Sequence, residues 1–134
     1  MTLSTEKLRN IYGKPVPAAE AKVICKFDNH CIDFIGNSPF LVLSTFNGKS
    51  MDVSPKGGTP GFVTIESETT LLLPDYAGNN RIDGLLNINK FAAVGLIFMI
   101  PGVTETLRVN GTAEVLDNPL LLEQANLENK PIKT

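Results

Sequence analysis

Several residue types are scarce in this chain. It contains no tryptophan, one histidine and two cysteines among 134 residues. No cluster of histidines, cysteines or paired carboxylates surrounds the cysteines, so the sequence excludes a zinc centre. Cys25 and Cys31 are six positions apart in a predicted helix, where their side chains diverge around the axis, and we expect no disulfide between them. We therefore expect a reducing, cytoplasmic environment.

Long apolar runs and an excess of one charge are also missing. Twelve basic residues against 14 acidic ones leave a formal net charge of −2, so no basic field supports non-specific nucleic-acid binding. The longest apolar run, residues 91–100, is broken by Gly95 and followed by Pro101-Gly102, so it is too short to span a membrane. The N-terminal residues lack the apolar segment of a signal peptide. These absences predict a small soluble protein with no nucleic-acid or membrane partner.

The length predicts one folded domain, since domains most often contain roughly 100–150 residues. The hydrophobic share of 43% is ordinary for a globular protein, and a chain of this size can bury a core. Residues 1–18 are polar and interrupted by Pro15 and Pro17, so we expect a loosely held N-terminal arm. Residues 19–134 are then predicted to form a single domain.

The spacing of apolar residues predicts three helices. Apolar side chains recur every three or four positions over residues 19–35, which predicts a helix that ends at Gly36. Asn118-Pro119 predicts the start of another helix, with asparagine as its cap and proline in its first turn. Residues 81–90 predict a short helix whose packing side carries Ile82, Leu85, Leu86 and Asn89.

Segments rich in aliphatic, β-branched and aromatic residues predict strands. They are residues 40–46, 49–54, 62–66, 70–74, 92–100 and 105–116. Asn47-Gly48 predicts a type I′ hairpin turn, and residues 55–61 predict a glycine- and proline-rich loop. The continuous apolar run at residues 92–100 predicts a strand covered on both faces, and Gly111 predicts a bulge. About six short strands joined by hairpin turns predict a mainly β (α+β) fold built on a small antiparallel barrel.

Two basic residues near glycines are candidate anion ligands. The segment GNNR, residues 78–81, leads into a predicted helix, whose N-terminal N–H groups and dipole favour an anion beside Arg81. The alternative is an asparagine-capped helix with a solvated arginine. Lys56 precedes two glycines that would let a ligand approach the backbone closely, and the alternative is a lysine in solvent at a hairpin end.

The remaining polar candidates carry weaker signals. Arg108 shares a strand face with Thr106 and Asn110, which could line a ligand groove or form the wet face of an antiparallel sheet. Asp75 could accept a hydrogen bond from a ligand, although an aspartate after a proline is more often a turn residue. His30 has no positioned serine or cysteine and no orienting acid, so we interpret it as a surface histidine rather than a catalytic one.

Several short segments, in order, resemble one family over roughly residues 20–120. They are SPF (38–40), DVSPKG (52–57), PGFV (60–63), LPD (73–75), GNNR (78–81), VGLIF (94–98) and ETLRVNG (105–111). Together they resemble the pyridoxamine 5′-phosphate oxidase-related FMN-binding proteins, in a C-terminally short and uncharacterised branch. The resemblance implies a split β-barrel with short flanking helices, which forms a homodimer and holds FMN between its subunits.

The resemblance also implies a set of cofactor-binding residues. The strand of Lys56 would run along the flavin, the loop ending at Arg81 would take the phosphate, and Thr106 would face the ring in place of a glutamine of the oxidases. The implied set is Val53, Ser54, Pro55, Lys56, Asp75, Gly78, Asn79, Asn80, Arg81, Thr106 and Arg108.

Three functions follow as hypotheses. The first is a flavin-dependent oxidoreductase that acts on a small molecule of unknown identity. The second is a non-catalytic FMN- or haem-binding module, and the third is a truncated, cofactor-free dimerisation domain. The oxidases place a tryptophan in a C-terminal segment that has no counterpart here, so we expect a natural short member or a fragment, with an open barrel edge.

Overall fold

The computed structural model describes residues 1–76 and 78–125. The helices are α1 (Thr5–Tyr12), α2 (Pro17–Ala21), α3 (Asn29–Asn37), α4 (Asp83–Lys90) and α5 (Pro119–Ala125). The strands are β1 (Phe40–Phe46), β2 (Met51–Gly57), β3 (Thr64–Ser67), β4 (Thr70–Leu72), β5 (Ala93–Met99) and β6 (Thr106–Thr112). The strands form a four-stranded sheet in the order β2-β1-β5-β6 and a separate hairpin of β3 and β4. All pairings are antiparallel, as the predicted mainly β split barrel requires.

The β1–β2 hairpin is present, but its turn differs from the predicted one. Phe46 pairs with Met51, so the connection has four residues, and of these only Gly48 has positive φ, at 97°. The Asn47 carboxamide oxygen accepts hydrogen bonds from the backbone N–H groups of Lys49 and Ser50, each at 2.9 Å. A type I′ turn needs positive φ at two successive residues, so that prediction is wrong.

The second strand of this hairpin is longer than predicted. β2 extends to Gly57 and so includes Pro55, which the sequence predicts to lie in a loop. Because β2 is the edge strand of its sheet, the missing N–H of proline costs no hydrogen bond within the ladder. The predicted loop therefore begins later, after Gly57.

Side chains of the four-stranded sheet alternate between an inner face and an outer face. Leu41, Leu43 and Thr45 of β1 are buried on the inner face, opposite Phe98 and its neighbours on β5. The inner face packs against α3 and against the segment before β3. The buried cluster comprises Phe34, Ile35, Leu41, Leu43, Phe62, Val63 and Phe98.

The first predicted helix is wrong in its extent. Helix α3 begins at Asn29 and continues past Gly36, while the residues between α2 and α3 are not helical. The Asp28 carboxylate caps α3 by accepting a hydrogen bond from the Cys31 N–H at 2.9 Å, and this bond holds the pKa of Asp28 below its usual range. The Phe27 N–H donates to the Glu68 carbonyl at 2.8 Å, which ties this connection to the β3–β4 hairpin.

Other predicted details also change. Helix α4 buries Asn87 and Ile88. Three of the four residues that the sequence places on its packing side are exposed, namely Ile82, Leu86 and Asn89. The register between β5 and β6 is continuous, so there is no bulge at Gly111. Strand β5 is central in its sheet, yet among its side chains only that of Phe98 is fully buried.

Helix α1 was not predicted, and only residues 19–21 of α2 belong to the predicted first helix. All residues of both helices are exposed. The carboxamide oxygen of Asn118 accepts from the Leu120 N–H at 3.0 Å, which confirms the predicted cap of α5.

Cys25 lies outside any helix, and both cysteines are free thiols. No helix within the described residues is long and apolar enough to cross a membrane.

Candidate functional site

A polar cleft lies between the edge strand β2, helix α4 and the loop that precedes α4. Its volume is about 430 Å³. Several predicted cofactor-binding residues line it, namely Val53, Ser54, Pro55, Lys56, Asp75, Asn79 and Arg81. Gly78 and Asn80 are exposed neighbours in the same loop. The structure thus brings together two segments that are about twenty residues apart in the sequence.

Strand alternation decides which β2 side chains face α4. Ser54 and Lys56 pair with the inner-face residues Leu43 and Leu41, and both are half-buried. Val53 and Pro55 belong to the outer face and are exposed. The two sets of predicted ligands on β2 therefore lie on opposite sides of the strand, and only Ser54 and Lys56 point toward the interior of the domain.

An ion pair fixes the lysine of the cleft. The Lys56 ammonium donates to an Asp75 carboxylate oxygen at 2.7 Å, and the side chains are 26% and 22% exposed. Such a partly buried, charge-assisted bond is stronger than a surface ion pair, which contributes about 0–1 kcal/mol. Asp75 follows the buried Pro74, so its backbone is anchored in the core. Lys56 and Asp75 are both predicted cofactor-binding residues, and this ion pair holds them together in the cleft.

The loop before α4 is shaped by its asparagines. The Asn79 carboxamide oxygen accepts from the Arg81 N–H at 3.0 Å, and Asn80 adopts φ of 62°, in the left-handed region that asparagine tolerates better than most residues. Helix α4 starts at Asp83, with Ile82 at its N-cap and no side-chain cap hydrogen bond. The alternative of an asparagine-capped helix is therefore wrong.

Arg81 is held at the mouth of the cleft by a carboxylate. Its Nε donates to Asp83 at 2.7 Å, and its side chain is 77% exposed. The hydrogen bond to Asp83 raises the pKa of Arg81, and the charges of Asp83 and Asp52 raise it further. Arg81 is thus a permanent cation with an accessible guanidinium group.

Sequence reasoning missed four residues that shape the cleft. Asp52 accepts from the Ser54 hydroxyl at 2.8 Å, and Asp83 occupies the first turn of α4. Gly84 faces β1 and β2, and a Cβ there would be in ordinary van der Waals contact with Asp52 and Thr45, at 3.7 Å or more. Asn87 donates to the Thr45 hydroxyl at 3.0 Å within the core. The period-two alternation of β2 could have identified Asp52, because it shares a face with Ser54.

Thr106 and Arg108 lie away from this cleft. They are exposed on β6, at the opposite edge of the sheet, and β1 and β5 separate them from β2. Their registry partners on β5 are Met99 and Ile97, so both side chains belong to the outer face. Within one chain, therefore, these two predicted ligands do not meet Lys56 or Arg81.

The charges and hydrogen-bond donors of the cleft can be compared with those that an FMN phosphate needs. Lys56 and Arg81 supply two positive charges, and Asp52, Asp75 and Asp83 supply three negative ones. The described bond from Arg81 to Asp83 uses Nε alone, and a phosphate can bind an arginine through its terminal nitrogens as well. An uncapped helix start adds backbone N–H donors. These donors can bind a phosphate group if the phosphate takes the place of Asp83 as a hydrogen-bond partner of Arg81.

The fold and the cleft define a class: an antiparallel split barrel with a cofactor-sized polar cleft at its edge strand. A comparison with protein families identifies the class more closely. The family model described as "Pyridoxamine 5'-phosphate oxidase" matches residues 27–131. The chain therefore belongs to this family of flavin-binding, oxidoreductase-like proteins, whose members commonly bind FMN and are typically dimeric. No curated protein and no solved structure gives a significant match.

Proposed function

We propose that the protein binds FMN in the cleft between β2 and α4 and acts as a flavin-dependent oxidoreductase on a small molecule. The observation that carries the proposal is the meeting of Lys56, Arg81 and the start of α4 around one cavity. Membership of the family supports the same cofactor. The free thiols of Cys25 and Cys31 support a reducing, cytoplasmic setting.

The phosphate of FMN would bind at the α4 end of the cleft. Arg81 would exchange its bond to Asp83 for one or two bonds to phosphate oxygens, and the loop of Gly78, Asn79 and Asn80 would contribute backbone N–H groups. The positive end of the α4 dipole would favour the same anion.

The isoalloxazine ring would lie along β2. FMN, when bound, supplies the hydride chemistry, while the protein binds it and tunes its charge. The Lys56 ammonium, oriented by Asp75 at 2.7 Å, would favour a negative charge on the neighbouring ring. Ser54, held by Asp52, would offer a hydroxyl group beside it.

A second copy of the chain would complete the site. The outer face of the sheet exposes apolar side chains, including Met51 at 60% and Val53 at 63%. An apolar face of this kind marks an interaction surface. The exposed Thr106 and Arg108 share this outer face, so a partner that covers it would place its own copies of these residues near the first subunit. The typical dimerisation of the family supports this arrangement.

The visible spectrum of the purified protein tests the cofactor. We expect a flavin band, with FMN released on denaturation. Bleaching of the band by NADH or NADPH would distinguish an enzyme from a carrier. A colourless protein that takes up no added FMN would contradict the proposal.

Arg81→Ala tests the phosphate contact. We expect it to weaken FMN binding by about tenfold to hundredfold, since a hydrogen bond to a charged group contributes about 1.5–3 kcal/mol. The melting temperature of the FMN-free protein should hardly change, because the side chain is exposed. Arg9→Ala is the matched control, since Arg9 lies on the exposed helix α1 and donates to the Gly13 carbonyl. Equal FMN affinity of the Arg81→Ala and Arg9→Ala variants would remove Arg81 from the site.

A further inference from the structure

A second, larger cavity lies along the inner face of the sheet and is open to solvent, since lining residues such as Gly111, Thr112 and Asn118 are exposed. Its volume is about 830 Å³, within the range of roughly 300–1,000 Å³ that ligand pockets occupy. We call it the chamber. Its walls come from the inner face of the sheet, the β3–β4 hairpin, α4 and α5. Most of the lining is aliphatic, and representative wall residues are Leu71, Leu73, Val94, Leu96, Val109 and Leu121.

The chamber extends from the hydrophobic core to an opening at the surface. At one end of the inner face, Leu41 and Phe98 are completely buried. Toward the other end, Val94, Leu96 and Val109 pack against the same core but are only partly buried. Protein interiors are normally packed as densely as organic crystals. The aliphatic side chains around a cavity of this size therefore make fewer van der Waals contacts than those of a filled core.

The polarity of the chamber varies along its length. Lys56 and Asp75 line both the chamber and the polar cleft, so the two cavities adjoin at this ion pair. The ammonium and the carboxylate balance each other's charge and offer both a donor and an acceptor. Glu66 and Glu114 also line the chamber and are exposed. An anionic end group at Lys56 would face the Asp75 carboxylate and add to the negative charge of the lining, whereas a neutral hydroxyl or carbonyl group would meet no net repulsion.

We propose that the chamber binds a neutral, elongated apolar molecule, with its hydroxyl or carbonyl end at Lys56 and Asp75. That end would then lie beside the cleft assigned to FMN, which makes such a molecule the substrate class of the enzyme. The assignment as substrate rests on the proposed function, but the binding itself does not depend on FMN.

Gly111 provides a way to fill the chamber without disturbing the fold. It lies on the inner face of β6 opposite Val94 and lines the chamber, and a Cβ at this position would meet no atom within 4 Å. Its φ lies outside the left-handed region, so a side chain adds no backbone strain. Gly36 is the matched control, because a Cβ there also meets nothing within 4 Å and the residue does not line the chamber.

The experiment measures displacement of the neutral dye Nile red from the full-length chain by decanol, without FMN. We expect Gly111→Leu to weaken decanol binding by about tenfold or more, and Gly36→Leu to change it by less than about twofold. Decanoate should bind more weakly than decanol. Absence of decanol binding, equal binding by the two leucine variants, or tighter binding of decanoate would each overturn the proposal.

Two further measurements separate the possible failures. Uptake of FMN without any decanol binding would overturn the chamber proposal and leave the proposed function standing. Decanol binding that Gly111→Leu abolishes, in a protein that takes up no FMN, would refute the proposed function but not the chamber. A molecular mass that halves in the Gly111→Leu variant would assign the chamber to a second copy of the chain instead, and so would also overturn the proposal.

Discussion

Replacing Asn87 by alanine should destabilise the protein by about 1–3 kcal/mol. The Asn87 carboxamide donates to the Thr45 hydroxyl at 3.0 Å, and the two residues are 8% and 1% exposed. The variant leaves the buried Thr45 hydroxyl oxygen without its donor, and a buried polar group that loses its partner costs about 1–3 kcal/mol. Native domains are stable by only about 5–15 kcal/mol, so this loss is large.

Urea unfolding measures the effect. With a slope of about 1–3 kcal/mol per molar urea, the midpoint should fall by about 1 M, with the slope unchanged. Asn89→Ala is the control, because Asn89 lies on the same helix but is exposed. The double variant Thr45→Val/Asn87→Leu should be more stable than the sum of the single changes predicts, since it removes both polar partners together. Equal midpoints for Asn87→Ala and Asn89→Ala would refute this account of how α4 is held.

Two further predictions concern pH and backbone conformation. The pKa of Asp28 is lowered in the folded state by the Cys31 N–H, so its contribution to stability is present above the unfolded-state pKa and is lost as the pH falls through the folded-state pKa. The melting temperatures of the wild type and Asp28→Asn should therefore differ at neutral pH and converge in acid, and a constant difference would contradict the cap. Gly61 has φ of 81°, and a Cβ there would lie 2.9 Å from the Gly36 carbonyl oxygen, so Gly61→Ala should cost more than about 1 kcal/mol in urea unfolding. Gly102→Ala, at the same φ but in open space, should cost less.

Local signals predicted most of the sheet. The strand at β1 and the β3–β4 hairpin follow from residue type and turn composition, which act over a few neighbours. The errors arise where distant contacts decide. The connection between α2 and α3 has helical apolar spacing, but Phe27 pairs instead with Glu68, about forty residues away. Asn87 is buried because Thr45 supplies its partner, which no helical period can indicate.

The candidate site was predictable to a similar degree. Family-like segments identified Lys56, Asp75 and Arg81, and the structure places all three around one cleft. The carboxylate Asp83 was missed because an acidic residue in a first helical turn is common. Asp52 shares a strand face with Ser54, but only the position of α4 shows that this face borders a cleft. Thr106 and Arg108 lie on the opposite edge strand, a separation that depends on the strand order and not on any local signal.

The short turn at Asn47 has a consequence for how this sequence can evolve. Its carboxamide bonds to Lys49 and Ser50 fix the pairing of Phe46 with Met51, and every later pair of the hairpin follows from that one. A slip of one residue would turn Ser54 and Lys56 to the outer face of the sheet and Val53 and Pro55 to its inner face. Insertions and deletions at this tip should therefore persist in evolution only when they preserve the pairing, although residues 47–50 do not line the cleft.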